Sequence, residues 1–481
     1  MFKLGQKAIE IARHYRVDFA DIRIIEERRQ GLGVKNAAIS SLYDQTTLGY
    51  GVRVLYRGAW GFAACDRMTP AEVQKTALRA IAIAKASRLL MSTPVRLAQE
   101  SSYSDFWQTP FLKDPFAVAA EKKLELLFAV DGVLRRNRKI KSAEANMRFI
   151  REHQWHLTTE GSRIEQVLLS TGAGYSATAV ENGEVQVRSY PSTHGGQTLG
   201  GGYELIETLN LLENAERVRE EAVALLSAPQ CPQGEKDLII GGNQLALQIH
   251  ESVGHPSELD RVLGYEESYA GSSFATTEKL GVFRYGSPLV NLVADATLPG
   301  GLATAGYDDD AVKAQRWHIV KEGVLSGYMT NREFCGVIGE TRSKGSCRAD
   351  GYANIPITRI CNLSLMPGTT PFERLLGETR DGVLMDNNKS WSIDQRRLNF
   401  QFGCEAAWLV KNGKKKNLVK NPTYQGITPK FWNSCDAIAD HSAWRLWGVA
   451  NCGKGQPGQT AMMCHGSSPA RFRKVKIGIS G

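Results

Sequence analysis

Along the first 227 positions the spacing of apolar residues switches from helical to alternating and back, twice, an order that excludes an all-helical or an all-strand fold. Residues 4–15 carry a helical stripe. Positions 20–28 and 32–43 read as extended runs, and 48–56 with 59–65 as a hairpin turning at Arg57-Gly58. Thr69, Pro70 and Glu72 supply the cap, first-turn proline and capping box of a helix whose Val73, Ala77, Ile81 and Ala84 share one face. The outline then repeats. After a polar stretch at 99–113, Asp114-Pro115 starts a helix to about Arg135, strands follow at 143–151, 154–159, 163–169 and 175–190 with a turn at Asn182-Gly183, and 205–226 closes as a helix. APQCPQGEK at 228–236 has the composition of a linker. The expected fold is therefore α+β. Two N-terminal helix/antiparallel-sheet segments, 1–98 and 99–227, could pack as one domain, and the linker leads to a β-rich C-terminal domain, 237–481, that carries a histidine-bearing helix.

That helix lies in ALQIHESVGHPSELDR, residues 246–261, where His250, Glu251 and His255 form HExxxH. Asn243 is its expected N-cap, and Leu245, Ile249 and Val253 its apolar stripe. At about 100° per residue, side chains four apart diverge by only ~40°, whereas five apart they diverge by ~140° and cannot share an ion on a regular helix. The backbone must therefore depart from a regular helix between His250 and His255. Gly254 can adopt irregular dihedrals and Pro256 biases His255 away from the helical region, so a widened last turn is expected to bring the rings together. Glu251 would then face a catalytic water rather than the metal.

A catalytic zinc site keeps three protein donors and one open position, so one donor is missing from the motif. Glu258, Asp260, Cys452, Cys464 and His465 are the candidates that the residues leave open. The nine cysteines are odd in number and widely scattered, which favours reduced thiols. Apolar stretches fall well short of the ~20 residues of a membrane span, and the N-terminus lacks the apolar core of a secretory signal, so a cytoplasmic protein without membrane contact is expected. A formal charge of +9 is spread widely, with short basic runs only at 411–420 and 471–476 and no interleaved aromatics, so nucleic acid is not an expected partner.

HExxxH followed by a distant Asn-Cys-Gly-Lys resembles the TldD/PmbA family of zinc metallopeptidases, here as IHESVGHPSELD at 249–260 and VANCGKGQPGQ at 449–459. The likeness extends through GYGVRVLYRGAWGFA at 49–63, YDDDAVKAQRWHIVKEGVLSGYMTNR at 307–332 and HGSSPARF at 465–472. It implies Zn2+ on His250, His255 and Cys452, Glu251 as general base, and the HExxxH-bearing, active branch. Cys464 stays as a substitute ligand, because a small residue is common at its position. The likeness also implies hydrolysis of unfolded proteins or small peptides in a homodimer or a heterodimer with a PmbA-like paralogue. His318, His441, His465, Tyr307 and Tyr328 are the candidate oxyanion donors. The competing expectation is a non-catalytic or gyrase-associated regulator, after an older label of the same family.

Overall fold

In the computed structural model, which describes residues 1–193 and 195–479, the two N-terminal segments share one sheet. Helix α1 (Phe2–His14) precedes β1 (Phe19–Lys35), β2 (Ala38–Tyr56) and β3 (Ala59–Cys65), and α2 (Pro70–Arg88) follows. Then come β4 (Ser104–Gln108), α3 (Ala120–Leu134), β5 (Ile140–Thr158), β6 (Arg163–Glu181), β7 (Glu184–Tyr190) and β8 (Gln197–Gly200). Helices α4 (Glu204–Thr208) and α5 (Leu211–Ser227) complete this half. The strand order is β3-β2-β1-β5-β6-β4, with β7 and β8 also on β6, and the antiparallel β1–β5 ladder stitches the two segments together. Helices α1 and α2 bury Ala8, Ile9, Val73 and Ile81 against Ile22, Ile24 and Val52. Helices α3 and α5 bury Leu127, Val130, Val218 and Ala222 against Phe149, Tyr175 and Ala177.

Several expectations change in detail. The run 32–43 is cut by a tight turn in which Asn36 and Ala37 take φ of 49° and 62°, and the expected strands 143–151 and 154–159 fall on one unbroken strand, Ile140–Thr158. The helix begun by Asp114-Pro115 is a single 3-10 turn before α3, and 205–226 breaks where Asn210 adopts φ of 49°. Both predicted turns are present, Arg57-Gly58 with φ of 48° and 81° and Asn182-Gly183 with 51° and 80°. Thr69 caps α2 by accepting the Glu72 N–H at 3.3 Å. Thr69→Ala is expected to lower stability by about 1 kcal/mol, read as a fall in calorimetric Tm with activity retained.

In the C-terminal half the strands 381–393, β9 (Gly234–Ile240), 470–479, 422–427 and 399–411 pair in that order, and the last pairs back to the first, closing a five-stranded ring. Inside it the apolar face of the next helix, α6 (Gly242–Ile249), places Leu245 and Ile249 with Phe402, Tyr424, Trp432 and Phe472. Strand β9 passes into α6 through Gly241, which is its N-cap, so Asn243 lies inside the first turn and its side chain meets Asn387 instead. A separate two-stranded ribbon, Arg445–Lys454 with Gln459–Ser467, lies against α6. Among the described residues no helix is long and apolar enough to cross a membrane.

Candidate metal centre

Past Ile249 the helix widens into a π-turn, His250–Gly254, closed by the His255 N–H donating to the His250 carbonyl five residues back. This widening puts residues five apart on one face. The ring centroids of His250 and His255 are 4.7 Å apart. The route differs from the one the dihedrals suggested: His255 stays helical at φ −58°, ψ −43°, and Gly254 has φ −58°. Proline matters here through its missing N–H. Pro256 cannot donate to the Ser252 carbonyl, so that acceptor is released from the helix ladder and taken by the Tyr285 hydroxyl. Gly254 is required for space, since a Cβ there would stand 2.9 Å from Ile360 Cδ1.

The third member arrives from the two-stranded ribbon. Its register breaks between Val449 and Cys452, leaving Ala450 and Asn451 outside the ladder and turning Cys452 toward the histidines. Cys452 Sγ lies 3.6 Å from His255 Nε2, and donor atoms of His250, His255 and Cys452 all fall within 4.8 Å of one another. Donors on a tetrahedral zinc with bonds of about 2.0–2.3 Å stand about 3.5 Å apart, so a small contraction suffices.

The hydrogen bonds behind the rings set their tautomers. His465 Nδ1 donates to the Leu363 carbonyl, so its Nε2 is an acceptor and takes the His250 Nδ1–H at 2.8 Å. His255 Nδ1–H donates to Glu258 Oε2 at 2.8 Å. Both rings are thereby left with an unprotonated Nε2, the form that could take a metal ion. Burial keeps both imidazoles below their ordinary pKa. Burial pushes the Cys452 thiol up, but His255, when it carries the shared proton, and the Arg359 guanidinium, 3.3 Å from the sulfur, outweigh it and hold the thiol below its usual value. Two neutral imidazoles and a thiol inclined to ionise suit zinc.

Glu258 is fully buried and backed by cations. Lys454 Nζ stands 3.3 Å from its Oε1 and 2.6 Å from Asp260, and Arg261 is 3.5 Å away. Burial raises the Glu258 carboxyl, yet Lys454, His255 and Arg261 bring it well below the usual range. Glu258 and Asp260 are therefore supports rather than further members of the cluster. Cys464 is also outside it: its sulfur accepts the Leu302 N–H at 3.3 Å and burial pushes its thiol up to about 12.

The open side of the cluster faces a cavity of about 260 Å³, lined by Glu251, Arg397, Trp391 and residues 447–453. Glu251 Oε2 accepts from Arg397 Nη1 at 2.6 Å. Of the candidate oxyanion donors, none lines this cavity. His465 is behind His250, Tyr328 donates to the Ala275 and Thr276 carbonyls, Tyr307 donates to Asp105, and His318 and His441 lie on other elements. A larger open cleft of about 800 Å³ beside Phe400 and Lys430 contains none of the cluster. Arg397, Arg359 and Lys454 were not singled out by motif. Only Lys454 carried a signal, as part of the Asn-Cys-Gly-Lys segment.

Sequence profiles of the PmbA/TldA metallopeptidase domain 1, central domain and C-terminal domain match residues 20–84, 113–226 and 233–477. The chain belongs to the PmbA/TldD metallopeptidase family. A metalloprotease of Methanocaldococcus jannaschii is 29% identical over 422 residues, covering 88% of this chain and 89% of its own length. A zinc metalloprotease TldD homolog of Saccharolobus solfataricus is 23% identical, covering 99% of each chain. Among solved structures, a putative modulator of a DNA gyrase from Thermotoga maritima superposes with TM-score 0.77 at 16% identity, covering 99% of both chains. TldE from Thermococcus kodakarensis gives 0.73 at 15% identity, covering 99% of this chain and all of that one. These structures share the α+β fold with this PmbA/TldD member. Glu258→Gln, which removes the charge behind His255, is expected to weaken zinc affinity by roughly 10- to 100-fold in a competitive chelator titration.

Proposed function

We propose that this metallopeptidase-family chain is a zinc-dependent peptidase of unfolded proteins or small peptides, with Glu251 as its general base. The observation that supports this most is the convergence of His250, His255 and Cys452 on one cavity that Glu251 also lines. Nε2 of each histidine and Sγ of Cys452 would hold the ion. Zinc bound there supplies Lewis acidity toward a peptide carbonyl and makes water acidic near neutral pH. Glu251 is tied to Arg397 through Oε2, so Oε1 is the atom that takes the proton from the attacking water and returns it to the leaving amine. Arg397 keeps that carboxylate aimed into the cavity.

Residues 447–453 form a continuous wall of the cavity, and the bulge leaves the peptide units of Ala450 and Asn451 outside the ribbon's ladder. A substrate backbone laid along this edge as an added strand would be gripped without regard to its side chains. Cytoplasmic action, as a homodimer or with a PmbA-like paralogue, completes the reading. Removing metal with a chelator is expected to abolish hydrolysis of casein and short peptides, and added zinc to restore it. Undiminished hydrolysis by metal-free protein would overturn the proposal.

A further inference from the structure

A second cleft, of about 290 Å³, adjoins the metal cavity: Ala450 and Asn451, the two bulged residues beside Cys452, belong to both walls. Its floor is the central part of the N-terminal sheet, with Glu27 and Arg29 on β1 and Glu152 on β5, and its roof includes Asp309 from the C-terminal half. The cleft is thus built between the sheet and the ribbon, and a chain laid along the bulge reaches it.

The charges around Glu152 do not balance. Glu27 lies directly across from Glu152 in the β1–β5 register and Asp309 closes the roof, giving three carboxylates. Two guanidiniums answer them. Arg29 is engaged with Glu27 at 2.8 Å, and Arg23 with Asp309 at 3.3 Å and the Asn354 carbonyl at 2.8 Å. The half-buried Glu152 has neither hydrogen bond nor ion pair among the described residues. Burial, with Asp309 and Glu27 close by, pushes its carboxyl up to about 8. A carboxyl so placed keeps its proton near neutral pH, and a cation that comes to meet it stabilises the ionised form. A metal ion is a poor match, because the only group of donors close enough to share one, among the described residues, is the histidine–cysteine cluster. The cleft is wider than an ion, and its Asp308, Asp309 and Asp350 carboxylates already accept backbone N–H groups. Of the other cations lining it, Arg348 donates to the Met462 and Ile360 carbonyls, and Arg148 sits four residues along β5, roughly 13 Å away at strand spacing, which leaves the Glu152 end acidic.

We infer that this cleft is a substrate subsite that receives a primary ammonium group, with Glu152 as its counter-ion. The inference rests on the peptidase reading for what the ligand is part of, namely a peptide extending from the metal cavity past Asn451. The ammonium has two sources in a peptide, the free N-terminus and a lysine side chain. Glu152 is a specificity residue here and takes no part in the chemistry.

Calorimetric binding of short peptides to the zinc-loaded Glu251→Gln protein tests this without turnover. Three versions of one sequence are compared: free N-terminus, acetylated with norleucine, and acetylated with lysine at successive positions. A version carrying an amine is expected to bind at least tenfold more tightly than the acetylated norleucine peptide. Adding Glu152→Gln should bring the ratio to about one. Which amine matters identifies the source. Equal affinities, or a preference that survives Glu152→Gln, would overturn the subsite. Turnover of the same peptides by wild-type protein tests the peptidase reading separately, so absent hydrolysis with intact amine-dependent binding removes that reading and leaves the subsite standing.

Discussion

Cys452→Ala is expected to leave a folded protein that retains no zinc through dialysis, where the wild type keeps about one ion per chain. Loss of one of three donors removes the only thiol of the cluster and leaves two neutral imidazoles, a set with much weaker hold. The fold should survive. Cys452 is a small buried side chain, and Arg359, which contacts its sulfur, keeps a 2.5 Å hydrogen bond to the Cys452 carbonyl. With several kcal/mol of Lewis-acid stabilisation gone, kcat/KM should drop by about 10³-fold or more. Two measurements separate this from misfolding. Metal analysis gives stoichiometry, and thermal unfolding with and without added zinc should show a Tm rise in the wild type that the variant lacks. Cys464→Ala is the control, expected to keep its zinc, because that sulfur is turned to the Leu302 amide and away from the rings. The reverse pattern, with zinc lost only from Cys464→Ala, would reassign the third ligand.

What could be read in the sequence was local. Arg57-Gly58, Asn182-Gly183 and the Thr69 cap depend on neighbouring residues, and they fold as their dihedral preferences dictate. The turn at Asn36-Ala37 has no glycine or proline to announce it, and the long β5 strand runs through a polar stretch at Arg151–His153 because both neighbours, β1 and β6, pair with it there. In the five-stranded ring, the pairings of β9 with 381–393 and with 470–479 join residues over 100 positions apart, to which periodicity is blind. At the metal centre the five-residue histidine spacing demanded a widened turn, and the turn is there. Its cause was misassigned, since a missing proline N–H frees a carbonyl while His255 keeps helical dihedrals. The support behind the ligands was invisible for a different reason. Lys454 with Asp260, Arg397 with Glu251 and His465 with His250 are pairs separated by 146 to 215 residues, buried together only once the ribbon and the ring enclose α6.

Glu251→Gln should separate metal binding from chemistry. The substitution is isosteric, and the amide oxygen it introduces can still accept from Arg397 Nη1, which now donates to Glu251 at 2.6 Å. Neither histidine nor the thiol is touched, so zinc content and its thermal stabilisation should match the wild type. Peptide binding should persist too, because the cavity wall at 447–453 and the second cleft are unchanged. The lost capacity is proton acceptance at Oε1, and an amide has no lone pair basic enough to replace a carboxylate. General-base contributions of about 10² to 10⁴ set the expected fall in kcat, with KM changed little. If the loss in kcat/KM came instead through KM, Glu251 would be a binding group and the proton would need another acceptor. A zinc-replete Glu251→Gln enzyme that hydrolyses peptides at the wild-type rate would remove Glu251 from the reaction altogether, leaving the ligands in place and the base unassigned.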